Sequence, residues 1–207
     1  MTTDTKLEYI PNNPLRGKVI LMNGPPNAGK DFATEKLVAA TDADHREFKD
    51  ILHNIAIAMT GLSREKYFEI YENKSWKEDP HPDLLGMSPR GLLIWISEDV
   101  CKPKFGEQFF GMPAAGSVDI ETGAVFSDSG FPEEVFPIAN KVGAENVYVV
   151  RFSREGCSFE GDSRNYLQPD QCPEGVKFID LKNDGDINDF CRAILSWVIY
   201  DNRKFED

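Results

Sequence analysis

The chain has 207 residues, of which 41% are hydrophobic and 28% are charged, values that are ordinary for a globular protein and exclude a disordered one. No apolar run reaches the roughly 18 residues of a membrane span, and the polar start lacks the apolar stretch of a signal peptide, so we expect one cytoplasmic domain over residues 1–207 without membrane association. The net charge of −12 also disfavours stable nucleic-acid binding, because such binders usually carry a basic face.

The first segments predict a leader, a strand and a helix. Residues 1–16 are polar and rich in Pro and Asn, so we expect a loose leader. The apolar run 18–23 is typical of a strand that is buried on both faces of a parallel sheet. After a glycine-rich loop, Ala33, Leu37 and Ala40 recur at helical spacing and predict a helix.

Helical patterns then fill residues 49–111, which we call the insert. Apolar residues predict a helix from Lys49, a second helix capped by Ser63, and a third that begins at Ser88 and ends before Pro103. The insert is therefore expected to be mostly helical and to interrupt an α/β core over about 17–48 and 120–207.

The second half of the chain returns to alternating strands and helices. Pro132 opens a helix with acidic residues in its first turn, Gly143 closes it, and Asp186 caps a final helix. Three apolar runs predict further core strands, at 124–128, 147–152 and 177–181. This alternation predicts an α/β fold with a parallel sheet.

A phosphate-binding loop follows the first predicted strand and precedes the first predicted helix. Residues 24–30 read GPPNAGK and match G-x-x-x-x-G-K in the context that this motif requires. Its backbone N–H groups would encircle the β-phosphate of ATP, and Lys30 would bridge the β- and γ-phosphates during transfer. The residues expected to bind the nucleotide are Gly24, Asn27, Ala28, Gly29, Lys30, Asp31 and Phe32.

The loop departs from its usual ending at one position. Asp31 stands where a Ser or Thr would bind Mg²⁺. Two interpretations remain open: Asp31 holds a magnesium-bound water, or its charge only stabilises the helix N-terminus. ATP and Mg²⁺ are the expected cofactors.

The loop with its following Asp is similar to that of the tailed-phage deoxynucleoside monophosphate kinases. Other stretches agree in the same order over about 17–170, including Phe48-Lys49, Ser88-Pro89-Arg90 and Ser127-Asp128. The resemblance implies a P-loop kinase sandwich of three layers, an acceptor-binding role for the insert, a lid over 153–169, and location in the host cytoplasm. The loop and first helix also resemble those of animal phosphomevalonate kinases.

The resemblance further implies roles for single residues. Lys30 would clamp the phosphates, while Lys49 and Arg90 match positions that face the acceptor phosphate. Both cations also lie near helix N-termini, where they are unfavourable unless they face an anion. The phage pattern carries an Arg soon after the Asp of its second core strand, but here Asp128 is followed by Ser and Gly. Acceptor recognition by that arginine is therefore either lost or taken over by Arg151, Arg154 or Arg164.

Further candidates come from the residues themselves. Asp128 ends a core strand at the edge where ligands bind, so it either holds magnesium waters or an acceptor ribose, or only initiates a turn. Arg154 and Arg164 lie where a lid would supply charge to the transition state, although either is also consistent with a surface ion pair. Trp76 and Lys77 offer a ring for a base and a cation for phosphate, against a packing role for Trp76.

These observations lead to one hypothesis and two alternatives. We expect a kinase that converts ATP and a deoxynucleoside monophosphate (dNMP) into ADP and the diphosphate. The alternatives are a kinase of a hydroxymethylated pyrimidine in phage DNA and a nucleotide-binding regulatory module without turnover. The sequence leaves a homodimer open.

Overall fold

The computed structural model describes residues 7–203, so residues 1–6 of the expected leader and the last four residues lie outside it. Its strands are β1 (Val19–Asn23), β2 (Asp44–Arg46), β3 (Ala124–Phe126), β4 (Val147–Ser153) and β5 (Lys177–Lys182). Its helices are α1 (Lys30–Thr41), α2 (Asp50–Thr60), α3 (Arg64–Glu72), α4 (Pro89–Ile94), a π-helix (Trp95–Cys101), α5 (Lys102–Phe105), α6 (Gly111–Ser117), α7 (Pro132–Val142) and α8 (Ile187–Arg203).

The five strands form one sheet in the order β2-β3-β1-β4-β5, and every neighbouring pair is parallel. Parallel strands place all their carboxyl ends at one edge, which is where open α/β sheets bind ligands. The phosphate loop follows β1, the central strand, and thus lies in the middle of that edge.

Helices cover both faces of the sheet. Ile20 and Met22 of β1 pack on one face against α1 and α8, whereas Val19 and Leu21 pack on the other face against α6 and α7. Successive residues of a strand point to opposite faces, so the continuous apolar run 18–23 is buried on both sides. The predicted three-layer α/β architecture with a parallel sheet is confirmed.

The insert has a hydrophobic cluster of its own. Ala56 of α2, Tyr67 and Ile70 of α3, and Leu92 of α4 are almost fully buried and pack together. Ser63 caps α3 by accepting the Lys66 N–H, as predicted. The insert therefore presents a packed helical wall toward the carboxyl edge of the sheet.

The prediction that the helix from Ser88 ends before Pro103 is wrong. Ser88 does cap α4, but the helical path continues through the π-helix into α5, which contains Pro103. Proline has no N–H to donate and its ring crowds the preceding turn. In the π-helix the hydrogen bonds span one residue more, as in the bond from the Lys102 N–H to the Ser97 carbonyl, and the wider turn accommodates the proline.

The expected loose leader is anchored to the core in its described part. Leu15 is fully buried, and the Ile10 N–H donates to the Ala40 carbonyl at the end of α1. Just after this segment, the Lys18 carbonyl lies close to Gly123: a Cβ on Gly123 would be 2.8 Å from that oxygen. Residues 7–16 form no helix or strand and half of them are exposed, but Leu7, Ile10 and Leu15 pack against the core. Within 7–203, no helix is long and apolar enough to cross a bilayer.

Candidate active site

The phosphate loop joins β1 to α1 in a conformation that needs its small residues. Gly29 has φ +98°, in the left-handed region that favours glycine, and Asn27 has φ 63°. A Cβ on Gly24 would lie 2.7 Å from the Phe152 carbonyl of β4, so only glycine fits between these strands. The glycines at both ends of the loop are thus required by geometry.

Lys30 is curled into this loop. Its side chain is buried, and its ammonium donates to the Gly24 and Pro25 carbonyls at 2.8 Å each. Burial, together with the nearby Arg164 charge, lowers the pKa of Lys30 to about 8. A phosphate placed between the two cations would relieve both the burial cost and the repulsion.

Asp31 and Phe32 begin α1 on its solvent side. Asp31 is exposed in the first turn, and Phe32 is 54% exposed with the Lys36 ammonium 5.0 Å from the centre of its ring. No group of three or more His, Cys, Asp or Glu residues that could hold a metal occurs within 7–203. The exposed Asp31 carboxylate, next to Lys30 in the first turn of α1, would be available to a water of a nucleotide-bound Mg²⁺.

A cavity of about 570 Å³, which we call the acceptor cavity, lies between the insert and the carboxyl edge of the sheet. Pro26 of the phosphate loop is part of its wall, so the cavity opens onto the loop. Its cationic lining residues are Lys49, Lys77, Arg90, Lys102 and Arg164. Its acidic lining residues are Glu72, Glu107, Asp128, Glu133, Glu134, Glu160 and Asp162.

Asp128 follows β3 and fastens the insert to the sheet. Its two carboxylate oxygens accept the Phe48 and Lys49 N–H groups at 2.8 and 3.0 Å, just before α2 begins. Burial raises the pKa of Asp128 although these hydrogen bonds oppose the shift. The side chain therefore holds the start of α2 at the cavity wall.

Lys49 and Arg90 both line the acceptor cavity, and both are paired with carboxylates. Lys49 lies 3.0 Å from Glu47, which together with Asp128 raises the pKa of Lys49 although burial opposes the shift. Arg90 lies 3.7 Å from Glu78 and donates to the Gly161 carbonyl at 3.1 Å. Arg90 thus joins the insert to residues 153–169, the expected lid, which we call the lid segment.

Trp76 and Lys77 take different places. Lys77 lines the cavity, but Trp76 is not part of its lining and packs against the His81 ring with 4.7 Å between ring centres. The two side chains therefore do not face the same ligand space: Lys77 can contact a ligand in the cavity, and Trp76 has a packing role.

The lid segment is an irregular connection between β4 and β5. Arg154 and Arg164 lie in it and Arg151 lies just before it in β4, and the three side chains point to different places. Arg164 reaches the end of β3, with its side chain over Gly130 and its Nη1 3.5 Å from the Asp128 carbonyl. Arg154 is exposed, with Nη1 3.9 Å from where a Gly29 Cβ would lie. Arg151 is bound to Asp180 on the far side of β4, away from the acceptor cavity.

Several cavity residues were not predicted from sequence. Lys102 lies 4.9 Å from the centre of the Phe131 ring and 2.7 Å from Glu98. Glu134 is buried, and its Oε2 accepts the Gly130 and Phe131 N–H groups. Burial, with the nearby Asp128 charge, raises the pKa of Glu134 well above its ordinary value. Two signals were available: the spacing of Glu98 and Lys102, four residues apart as in a helical ion pair, and the acidic first turn after Pro132.

The chain matches no protein-family model and no curated protein. Among solved structures, it is similar to a gluconokinase from Sinorhizobium meliloti 1021, with 12% identity, a TM-score of 0.46, and coverage of 93% of this chain and 98% of that chain. It is also similar to a sugar kinase from Janibacter sp. HTCC2649, with 12% identity, a TM-score of 0.40, and coverage of 87% and 94%. Likeness of this size assigns neither a family nor a substrate.

Proposed function

We propose that this protein is an ATP-dependent kinase that transfers the γ-phosphate to a deoxynucleoside monophosphate and releases ADP and the diphosphate. The observation that carries the proposal is the continuity between the phosphate loop and the acceptor cavity through Pro26, Asp128 and Arg164. An acceptor in this cavity would end where the γ-phosphate of a loop-bound ATP begins.

The size of the cavity and three of its cations support a mononucleotide acceptor. A volume of about 570 Å³ lies within the range of about 300–1,000 Å³ that is typical of small-molecule sites. Lys49, Arg90 and Arg164 can meet an acceptor phosphate, and apolar rings such as Phe48 and Phe110 offer packing to a base. A net charge of −12 disfavours a DNA duplex as the acceptor.

The chemistry requires positioning and charge rather than a strong base. The acceptor phosphate oxygen is already anionic, so no residue has to remove its proton. The loop N–H groups and Lys30 would hold the β- and γ-phosphates, while Arg164 would stabilise charge on the transferring group from the opposite side. Mg²⁺ bound with ATP would neutralise further phosphate charge, with Asp31 as the nearest carboxylate of the loop.

The test measures ADP release from Mg-ATP with each common dNMP, with hydroxymethylated dUMP and with hydroxymethylated DNA, beside Lys30→Ala. We expect a dNDP product that disappears in the variant. Activity on the modified DNA alone would instead support the hydroxymethylpyrimidine kinase, which phosphorylates a hydroxyl. ATP binding without turnover on any acceptor would support a regulatory module and refute the proposal.

A further inference from the structure

We propose that Asp162 is a positioning residue that fixes the Arg164 guanidinium in a preset orientation facing the phosphate loop. Arg164 is then held in one orientation although it lies in the lid segment, whereas Arg154, at the start of the same segment, is the arginine that reorients. The inference rests on the proposed kinase function for the role of Arg164, but the rigidity that it assigns can be measured without turnover.

A two-pronged ion pair holds the guanidinium. The Arg164 Nε donates to Asp162 Oδ1 at 2.9 Å, and Nη2 donates to Oδ2 at 2.8 Å. The backbone N–H of Arg164 also donates to Oδ1 at 2.9 Å, so the same carboxylate fixes both the backbone and the tip of the arginine. Parallel bonds of this kind define the plane of the guanidinium as well as its position.

The pair is shielded from solvent. The side chains of Arg164 and Asp162 are 25% and 12% exposed, whereas those of the surface pair Arg16–Glu121 are 66% and 70% exposed. The hydrogen bonds from Arg164 lower the pKa of Asp162 to about 2, so the carboxylate stays charged at any working pH. Exposed pairs contribute little to structure, but a shielded bidentate pair constrains its members.

The aliphatic part of the Arg164 side chain packs against the backbone of Gly130. A Cβ on Gly130 would lie 2.7 Å from the Arg164 Cβ and Cγ, so the stem lies directly against the glycine backbone. With Nε and Nη2 bound to Asp162, Nη1 has, among residues 7–203, only the long 3.5 Å contact with the Asp128 carbonyl. Nη1 is therefore the donor best placed to bind a phosphate oxygen.

The residues after Arg164 are tied to the strand that carries the phosphate loop. The side chain of Asn23, the fully buried last residue of β1, donates to the Asn165 carbonyl at 3.0 Å and accepts the Leu167 N–H at 2.8 Å. Arg154 is exposed, and no ion pair to it is found in the described part of the chain. Arg164 is thus held to the core at two places, at Gly130 and through its neighbours at Asn23, and its orientation is set locally by Asp162, whereas the exposed Arg154 has none of these contacts in the described part of the chain.

A guanidinium that is already oriented stabilises the charge of the transition state without having to be reoriented in each catalytic cycle. Asp162→Asn keeps the shape but removes the charge that orients Arg164. We expect kcat to fall about 10- to 100-fold, with the KM for ATP within about twofold of wild type, while Arg164→Ala loses about 10³-fold. Asp162→Glu should recover part of the loss, and Glu121→Gln, which breaks the exposed pair with Arg16, should leave kcat unchanged.

Chemical rescue separates positioning from general damage to the fold. Guanidinium ion at millimolar concentration should restore part of the activity of Arg164→Ala, because Asp162 and the Asp128 carbonyl remain to bind it. The double variant Arg164→Ala/Asp162→Asn should not respond. Rescue that is equal in the single and double variants, or a wild-type kcat in Asp162→Asn, would overturn the inference.

Limited trypsin digestion tests the same inference without any substrate. Both arginines lie in an irregular segment, but cleavage needs local opening, so wild type should be cut after Arg154 well before Arg164. Asp162→Asn should speed the Arg164 cut about tenfold, and Glu121→Gln should not. Equal Arg164 cleavage in wild type and Asp162→Asn refutes the assignment, whereas absent turnover with intact protection refutes only the kinase proposal.

Discussion

Gly130→Ala should disable the proposed transfer site through one added methyl group. The new Cβ would lie 2.7 Å from the Arg164 Cβ and Cγ and 2.8 Å from Cδ. Carbon atoms pack at about 3.5–4.0 Å, so the arginine must move away by about 1 Å. A misplacement of about 1 Å in a catalytic group costs about 10²-fold in rate, which corresponds to about 2.7 kcal/mol of transition-state stabilisation.

The assay for Gly130→Ala is steady-state ADP release at saturating ATP and acceptor. Gly116→Ala is the matched control: Gly116 is exposed in α6, and an added Cβ there meets no atom within 4 Å. The control should keep its kcat and gain up to about 1 kcal/mol of stability, because alanine is the better helix former. A Gly130→Ala protein that is folded and keeps wild-type kcat would show that the position of Arg164 does not govern turnover.

Three further predictions follow from the same structure. Because the pKa of Lys30 is lowered to about 8, kcat/KM for ATP should fall above about pH 8. In Lys30→Arg this fall should move to higher pH, since the guanidinium stays protonated. A fall at the same pH in both proteins would show that another group causes it. Asp128→Ala removes both acceptors at the start of α2 and should lower the free energy of unfolding in urea by about 1–3 kcal/mol, whereas an unchanged midpoint would show that Asp128 is not an anchor. Burial and the nearby Lys49 lower the pKa of His53 from 6.5 to about 4, so His53 takes up a proton at a higher pH in the unfolded chain than in the folded protein. The free energy of unfolding should therefore fall by up to about 3 kcal/mol between pH 6.5 and 4, and by less in His53→Gln. Identical profiles of unfolding free energy against pH in the two proteins would contradict this.

The fold was largely predictable because its signals are local. The continuous apolar run before the phosphate loop and the helical spacing after it each specify one element, and alternation of such elements leaves few topologies. β2 was missed because its three residues, Asp44–Arg46, are polar and pair on one side only, at the edge of the sheet. Its pairing with β3 is a tertiary contact that no local pattern records.

The site was less predictable than the fold because most of its contacts join distant segments. The loop could be placed because one short motif contains the whole of it. Asp162 and Arg164 are two residues apart in sequence, yet the position of Arg164 in the site depends on Gly130 and Asn23, which are 34 and 141 residues from Arg164. Arg151 looked equivalent to the other arginines in sequence, but the register of β4 with β5 places it beside Asp180.

The number of residues in the π-helix Trp95–Cys101 determines where the side chains after it point. Removing one residue there would restore ordinary α-helical bonding, but everything after it would rotate by about 100° about the helix axis. Lys102, now 4.9 Å from the centre of the Phe131 ring, would then turn out of the acceptor cavity together with its partner Glu107. The segment should therefore tolerate substitutions on its exposed side far better than any change in its number of residues.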